Sequence, residues 1–557
     1  MPPSIEALLA SRLDRLEPLE RLLLERAAVV GKDFRRAAVL HLSPPEELAG
    51  LDSGFRSLEQ KGLVHALRPT SHEEEALRFH HVLIRDVAYA GATKELRADL
   101  HERLAAWLEQ RSESDELVGY HLEQAHRYLA ELRPGDAAVP RLANWAGGRL
   151  ASAGIRAWKR ADTSAAVNLL GRAVELLPAE SQDRAELLCE LGIAQRWFGE
   201  LDRARETLAE AIEAAAATRD RRVEFRSRIE LAYAHVFGES EHTGDELLAL
   251  AERAIPIFEE LGDDLALGRT WRHVGYVRGG IQGRLADWQE AAERALTHYR
   301  RSGWSASGCL GELAAALFYG PAPVPEGIKR CEELLLEATD RAGRANVLAF
   351  LAGLRALGGD LDDARRLIGD AAATYEEIGE VYALANNSGR VLSRIELLGG
   401  DPAAAERVLR QCCETFDRVH DRAGLSTLAA ELADSLYIQD RYEEAESWIE
   451  LAEKSAPRDD LSAQYWRRRV RAKLLARRDS HDQAEMLVNE AATLVAGTDV
   501  LNDHAVVMLD VAEVLRLAGR AGDAARFVEK ARDLFELKGN VVSAADARTL
   551  LDELAVA

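Results

Sequence analysis

Small and apolar residues recur through most of this chain at helical spacing, and the clearest instance is the stretch from Asp440 to Pro457. There Ala445 and Ala452 stand seven residues apart on one helical face with Ile449 between them, and Pro457 stops the run. A face this small packs closely against a neighbouring helix. Aligned on Ala445, the equivalent anchors are Ala166, Ala204, Ala364, Ala405, Ala484 and Ala524, and the series Ala364, Ala405, Ala445, Ala484, Ala524 is spaced by 41, 40, 39 and 40 residues. Four residues beyond the other anchors stand Leu170, Leu208, Ile368, Leu409, Val488 and Val528, and seven beyond stand Ala173, Ala211, Ala371, Cys412, Ala491 and Ala531. Twelve residues upstream, small residues recur as Gly154, Gly192, Ala352, Ala433, Ala472 and Ala512. The pattern predicts two close-packed helices per unit of about forty residues.

Four such steps fit between Ala204 and Ala364, with helices predicted to begin near Asp245, Asp287 and Glu326. About ten hairpins over residues 141–557 follow, irregular near 240–340. Within that stretch Gly320-Pro321-Ala322-Pro323-Val324-Pro325 cannot continue a helix and is expected to bend or splay the array. Trp271, Trp288 and Trp304 fall nearby, and their expected role is to fill wide gaps between helices, with a ligand pocket as the alternative.

The first 94 residues read differently. Ser4 is placed to cap a helix carrying Ile5, Leu8, Leu9, Leu13 and Leu16, Pro18 opens a second run to Val30, and Ser43-Pro44-Pro45-Glu46 starts a helix through Leu58. Phe34 to Leu40 is short and apolar. Leu63 to Leu67 and Ala76 to Phe79 read as strands around a polar tip at Thr70 to Glu75, so helices followed by a two-stranded wing predict a small winged-helix domain over 1–94. Helices at Glu95 to Leu108 and Glu116 to Leu132, closed by Pro134-Gly135-Asp136, form a connector over 95–140.

Composition narrows the function. Apolar residues make up 47% and aromatics only 6%, which suits helices packed through small side chains, so the chain reads as all-α outside the wing. With 71 basic against 94 acidic residues the net charge is −23, which disfavours nucleic acid. The predicted helix before the wing, with Glu46, Glu47, Asp52 and Glu59 against Arg56 and Lys61, is a poor surface for a phosphate-lined groove. Five cysteines inside helical patterns predict reduced thiols, and the Cys412-Cys413 pair reads as packing. The N-terminal residues lack a secretory pattern and no apolar run is long enough for a membrane span, so the expected location is the cytoplasm. No metal-ligand spacing and no Gly-x-x-x-x-Gly-Lys-Ser/Thr motif occurs; the only Gly-Lys, Gly31-Lys32, is followed by Asp33. No catalytic residues, metal or cofactor are therefore expected in this chain.

Two resemblances sharpen the reading. Gly199-Glu200-Leu201-Asp202-Arg203-Ala204 and Gly359-Asp360-Leu361-Asp362-Asp363-Ala364 carry a turn and helix start that resemble the tetratricopeptide repeat, lengthened from its usual length of about 34 residues. That resemblance implies a right-handed superhelical solenoid of helix hairpins. Pro3-Ser4-Ile5-Glu6-Ala7-Leu8-Leu9 with Arg12-Leu13-Asp14, then Ala27-Ala28-Val29-Val30-Gly31, then Phe79-His80-His81-Val82-Leu83-Ile84-Arg85-Asp86 resemble the winged-helix end of bacterial STAND-type signalling ATPases. These are often fused to class III adenylate or guanylate cyclase domains and followed by tetratricopeptide repeats. Tyr319 to Glu326, leading to Arg330-Cys331-Glu332-Glu333-Leu334, is similar to the same cyclase-associated subgroup. The resemblance implies that His81 takes the place of the histidine that sits near nucleotide phosphates, with Arg85 beside it, although Val82 replaces the family's aspartate; the alternative is that His81 caps its helix. With no P-loop in the chain, it implies the C-terminal half of such a regulator, and ATP or ADP would enter only with a supplied ATPase module.

The expected function is a non-catalytic regulatory and protein-interaction half, binding a protein or peptide partner and signalling to an ATPase or cyclase module. The alternatives are a free-standing tetratricopeptide scaffold and a transcriptional regulator using the winged helix. The first helix of each repeat lines the concave face, and on the shared register its polar residues include Asn346, Asn387, Arg390, Arg469 and Lys473, with Trp466 beside them. Amides and cations on such a wall suit an extended acidic peptide or a carboxylate.

Overall fold

The computed structural model describes residues 3–67, 75–160, 162–236, 244–457 and 460–556. The chain is an all-α solenoid of tetratricopeptide-like hairpins apart from one small sheet near its start. It divides into two compact units, residues 1–223 and 224–557, so the expected boundaries near 94 and 140 both lie inside the first.

In the first unit, α1 (Pro3–Leu13), α2 (Pro18–Val30), β1 (Asp33–Arg35), α3 (Arg36–Leu42), α4 (Leu51–Gln60), β2 (Val64–Ala66), β3 (Ala76–Phe79) and α5 (Val82–Gly91) follow in order. Because α1 begins at Pro3, Ser4 lies inside its first turn and not ahead of it. The sheet is antiparallel in the order β1-β3-β2, with Phe34 opposite Leu77 and Val64 opposite Phe79. The strand β1 is new relative to the sequence reading, and Pro45–Gly50 forms a 3-10 turn before α4 where one continuous helix was expected. A Cβ at Gly50 or Gly54 would stand 2.8 or 2.5 Å from a Leu19 or Leu23 methyl, so these glycines let α4 lie close on α2. The expected polar tip falls almost wholly outside the described residues.

The repeats explain the register. Every anchor from Ala166 to Ala524 is fully buried, as are Leu170, Leu208, Leu409, Ile449 and Val528 four residues on. The upstream small residue faces this same position: a Cβ on Gly192 would sit 2.6 Å from Leu208, and one on Gly154 2.8 Å from Leu170. The turn inside the hairpin is equally regular. Five residues before six of the anchors stand Gly199, Gly359, Gly400, Asp440, Asp479 and Gly519, all with φ between 58 and 92°. Glycine enters this left-handed region freely and aspartate tolerates it, so the turn selects these residues. The turn between hairpins repeats the device at Arg219, Gly379, His420 and Gly539, and the next residue often caps the following helix, as Asp421 does by accepting from Gly424 N at 2.9 Å.

In the second unit the helices expected near Asp245, Asp287 and Glu326 are Gly244–Leu261, Leu285–Ser302 and Val324–Glu337. The Pro-rich stretch from Gly320 is the turn between Ser307–Tyr319 and Val324–Glu337, with Pro325 in the first turn of the second helix, and these two helices touch far less than the pairs of the regular hairpins, so the step is splayed as expected. The three tryptophans are partly buried against one hydrophobic core, as expected of gap-filling side chains: Trp288 packs over Gly275 and Gly279, Trp271 lies under Arg294 and Trp304 under Arg269. All five cysteines are buried, and burial pushes the Cys412 thiol up to about 12. No described helix is long and apolar enough to cross a membrane.

Candidate functional site

The first helices of successive hairpins in the second unit carry charged and aromatic side chains on one side. Arg390 and Arg394 come from Arg390–Leu398, Glu431 and Asp434 from Arg422–Ile438, Tyr465, Trp466, Arg469 and Lys473 from Leu461–Ala476, and Asp503 and Asp510 from Leu501–Leu517. Spacings of three, four and seven keep each set on one helical face. Arg390 donates to Glu431 through Nη2 at 2.9 Å and Nε at 3.1 Å, and Arg394 donates to Glu431 at 3.0 Å and to Asp503 at 3.3 Å. Tyr465 OH and Trp466 Nε1 donate to the other Asp503 oxygen at 2.7 and 3.2 Å.

One step along, Arg469 and Lys473 hold Asp434 and Asp510 in a square. Arg469 donates to Asp434 at 3.0 Å and also to Asp510, while Lys473 Nζ reaches Asp434 at 2.5 Å and Asp510 at 3.0 Å. Across both clusters four cations meet four carboxylates, so the buried wall is neutral. Aromatic faces back the cations: Arg390 and Arg394 lie over Tyr319, Arg394 and Arg469 over Trp466, and Lys473 over Tyr437. Burial pushes the Asp434 carboxyl up, but Arg469 and Lys473 outweigh it and hold the group down at about 2. Glu431 is likewise kept below the usual range by Arg390 and Arg394 against the cost of burial.

The structure thus brings together four of the six expected wall residues, Arg390, Trp466, Arg469 and Lys473. Asn346 and Asn387 form a separate group: Asn346 Oδ1 accepts from Tyr375 OH at 2.5 Å and from Asn387 Nδ2 at 3.1 Å, and Asn346 Nδ2 donates to Ser307 O at 3.0 Å. Sequence reasoning missed Arg394, Tyr319 and all four carboxylates. The signal was present as offset: Arg390 to Glu431, Arg469 to Asp510 and Asn346 to Asn387 are each 41 residues apart, and Arg272 to its carboxylate partner Glu312 is 40. One repeat period places a donor beside its acceptor.

At the other predicted site, His81 is exposed and Nδ1 accepts from Leu83 N at 3.1 Å, capping α5. Arg85 crosses to α2, donating to Ala28 O at 3.1 Å, and pairs with Asp86. A cleft of about 260 Å³ between α1, α2 and α5 is lined by Leu13, Leu16, Leu24 and Val87 with Asp14, Arg21 and Glu25 at its rim, and neither His81 nor Arg85 lines it.

A chain of polar rings joins Tyr89 of α5 to the Lys94–Gln110 and Asp115–Leu132 helices. His101 Nδ1 meets His121 Nδ1 at 2.8 Å, Tyr89 OH joins His101 Nε2 at 2.8 Å and Tyr128 OH at 3.0 Å, and Arg127 donates to Tyr128. Burial, helped by His121, Arg127, Arg85 and Arg97, drives His101 down to about 2, and burial with Arg85 drives His121 down to about 4. Both rings are neutral. Among the described residues no group of His, Cys, Asp or Glu is arranged to hold a metal ion.

No family model and no curated protein matches the chain. Among solved structures it is similar to a Rap protein complexed with competence and sporulation factor, at 14% identity and a TM-score of 0.47 over 65% of this chain and 100% of that one. It is also similar to the APC/C hetero-tetramer Cut9-Hcn1, at 12% identity and 0.47 over 84% and 91%. A STAND protein with a tetratricopeptide repeat sensor from Pyrococcus horikoshii follows, at 15% identity and 0.34 over 81% and 65%. All three TM-scores lie below 0.5, so the fold assignment rests on the hairpins themselves.

Proposed function

We propose that this chain is a non-catalytic, protein-interaction scaffold of a signalling system, whose second unit takes an extended acidic segment of a partner along Arg390, Arg394, Arg469 and Lys473, flanked by Trp466, Asn346 and Asn387. The observation that carries this reading is the set of four cations against aromatic faces on two first helices, Arg390–Leu398 and Leu461–Ala476, on either side of the carboxylate-bearing Arg422–Ile438 helix. Each cation is held by a carboxylate, and a partner's carboxylate that replaces Glu431 or Asp503 leaves the cation paired. The sheet of order β1-β3-β2, with β1 between α2 and α3 and with β2 and β3 following α4, supports reading residues 1–94 as winged-helix-like, and on the family resemblance its end at His81 and Arg85 passes the state of the repeats to an ATPase or cyclase module. A free-standing scaffold is the second reading, favoured by the capping role of His81. Exposed Asp52 and Glu59 on α4 weigh against DNA.

The test is fluorescence anisotropy with a short labelled peptide of Glu and Ala, against a Lys and Ala peptide of the same length. Saturable, salt-sensitive binding of the acidic peptide only, weakened in Arg394→Lys through loss of paired guanidinium bonds, is expected. Binding of both peptides alike, or of neither, overturns the reading.

A further inference from the structure

Near-neighbour packing accounts for most of the second unit, but two sets of bonds join residues more than two hundred positions apart. At the first, Asp499 accepts from Leu285 N at 2.7 Å and Ala286 N at 2.9 Å, capping the Leu285–Ser302 helix from a later repeat, and Asp499 N donates to Gly283 O at 3.1 Å. At the second, Lys538 Nζ donates to three carbonyls of the Pro-rich turn: Leu317 at 2.9 Å, Gly320 at 2.7 Å and Ala322 at 2.7 Å. Lys538 is fully buried and its hydrogen bonds go to these carbonyls. A Cβ on Gly539 would touch Val324 at 3.4 Å, so the same turn is also in van der Waals reach. The array in this unit has therefore come round on itself, and Arg394 to Asp503, 109 residues apart, bridges inside it.

The closing bonds are polar and few, whereas the hairpin contacts are apolar and continuous. Breaking the former costs far less than unstacking a repeat, and water can satisfy every group that is released. The cations and carboxylates of the inner wall, meanwhile, are paired with one another.

We propose that residues 224–557 form a gated ring, whose two seams at Asp499 and Lys538 part together and so admit a partner to the inner wall. The destination of the partner rests on the function proposed above; the parting of the seams does not. A ligand that binds only the opened ring sees an apparent Kd raised by the scarcity of that state, so any change that populates opening lowers Kd by the same factor.

Hydrogen exchange on the full chain, compared with Asp499→Asn and Lys538→Met, tests the parting. Each variant removes bonds at one seam only and keeps side-chain size. About tenfold or faster exchange is expected at both seams, residues 283–286 and 317–322, in either variant, with the Gly244–Leu261 helix unchanged. Acceleration confined to the altered seam, or none, overturns the gate. In the same variants the Glu and Ala peptide should bind tighter by the factor seen in exchange. Coupled seams with an unchanged Kd overturn the gate's role in access. If the peptide binds neither wild type nor variants, the binding reading fails while exchange still decides whether the ring opens.

Discussion

Acid should loosen the first unit through its histidine pair, and the size of the effect follows from the burial of two rings. In the folded chain His121 sits at about 4 and His101 at about 2, whereas an exposed histidine titrates at about 6.5. Opening the Lys94–Gln110 and Asp115–Leu132 helices releases both rings to water. Above 6.5 neither state is charged and the pair has no pH dependence. As pH falls below 6.5 the open state takes up protons that the closed state refuses, so the stability present at neutral pH is lost on the way down toward 4. Between pH 7.5 and 5 each histidine removes about 2 kcal/mol, or about 4 kcal/mol together. The groups around the pair are Tyr89, Tyr120, Tyr128, Arg85, Arg97 and Arg127, all of them tyrosine or arginine. His126, on the same helix, is also held low by burial and adds to the raw slope. The variant His121→Gln isolates the pair. Hydrogen exchange of these two helices, corrected for intrinsic rate, should show the opening free energy falling with pH in wild type and falling about 2 kcal/mol less in the variant. Equal slopes, or an NMR titration of either ring near 6.5 in the folded chain, would refute the reasoning.

Three further outcomes follow from packing. Gly192→Ala places a methyl 2.6 Å from Leu208 and should lower stability by about 1–3 kcal/mol in chemical denaturation, unlike Gly148→Ala, which meets nothing within 4 Å. Asp479→Gly relieves a left-handed residue at an exposed turn and should raise the melting temperature, by about 0.5–1 kcal/mol of stability. Arg469→Met leaves Asp434 and Asp510 short of a cation in a buried site and should cost about 3–5 kcal/mol, read by denaturation.

The helices and their register were legible because a small side chain recurs where two helices touch, and that constraint is local. Ala445, Ile449 and Ala452 lie fully buried for that reason. The strand β1 was not legible, since three residues, Asp33-Phe34-Arg35, carry no periodicity and pair only through β3. The splayed step at Gly320 was legible because prolines stop a helix, but prolines do not say whether the stop lies within a hairpin or between two. At the wall, Arg390, Arg469 and Lys473 could be picked from register, but reading one repeat at a time hid their carboxylates one period away. The seams left no local trace at all: nothing around Lys538 or Asp499 in sequence points to Gly320 or Leu285.

Those seams also fix the copy number of the repeats. An open array tolerates loss or gain of a hairpin, because each repeat touches only its neighbours. Here the deletion of one hairpin between Leu285 and Asp499 would carry Asp499 a whole step away from the helix end it caps, and Lys538 away from its three carbonyls. Closure is expected to come last in folding, since its bonds span more than two hundred residues. The ring thereby reports on its own completeness, and evolution by repeat duplication, open to other solenoids, is closed to this segment.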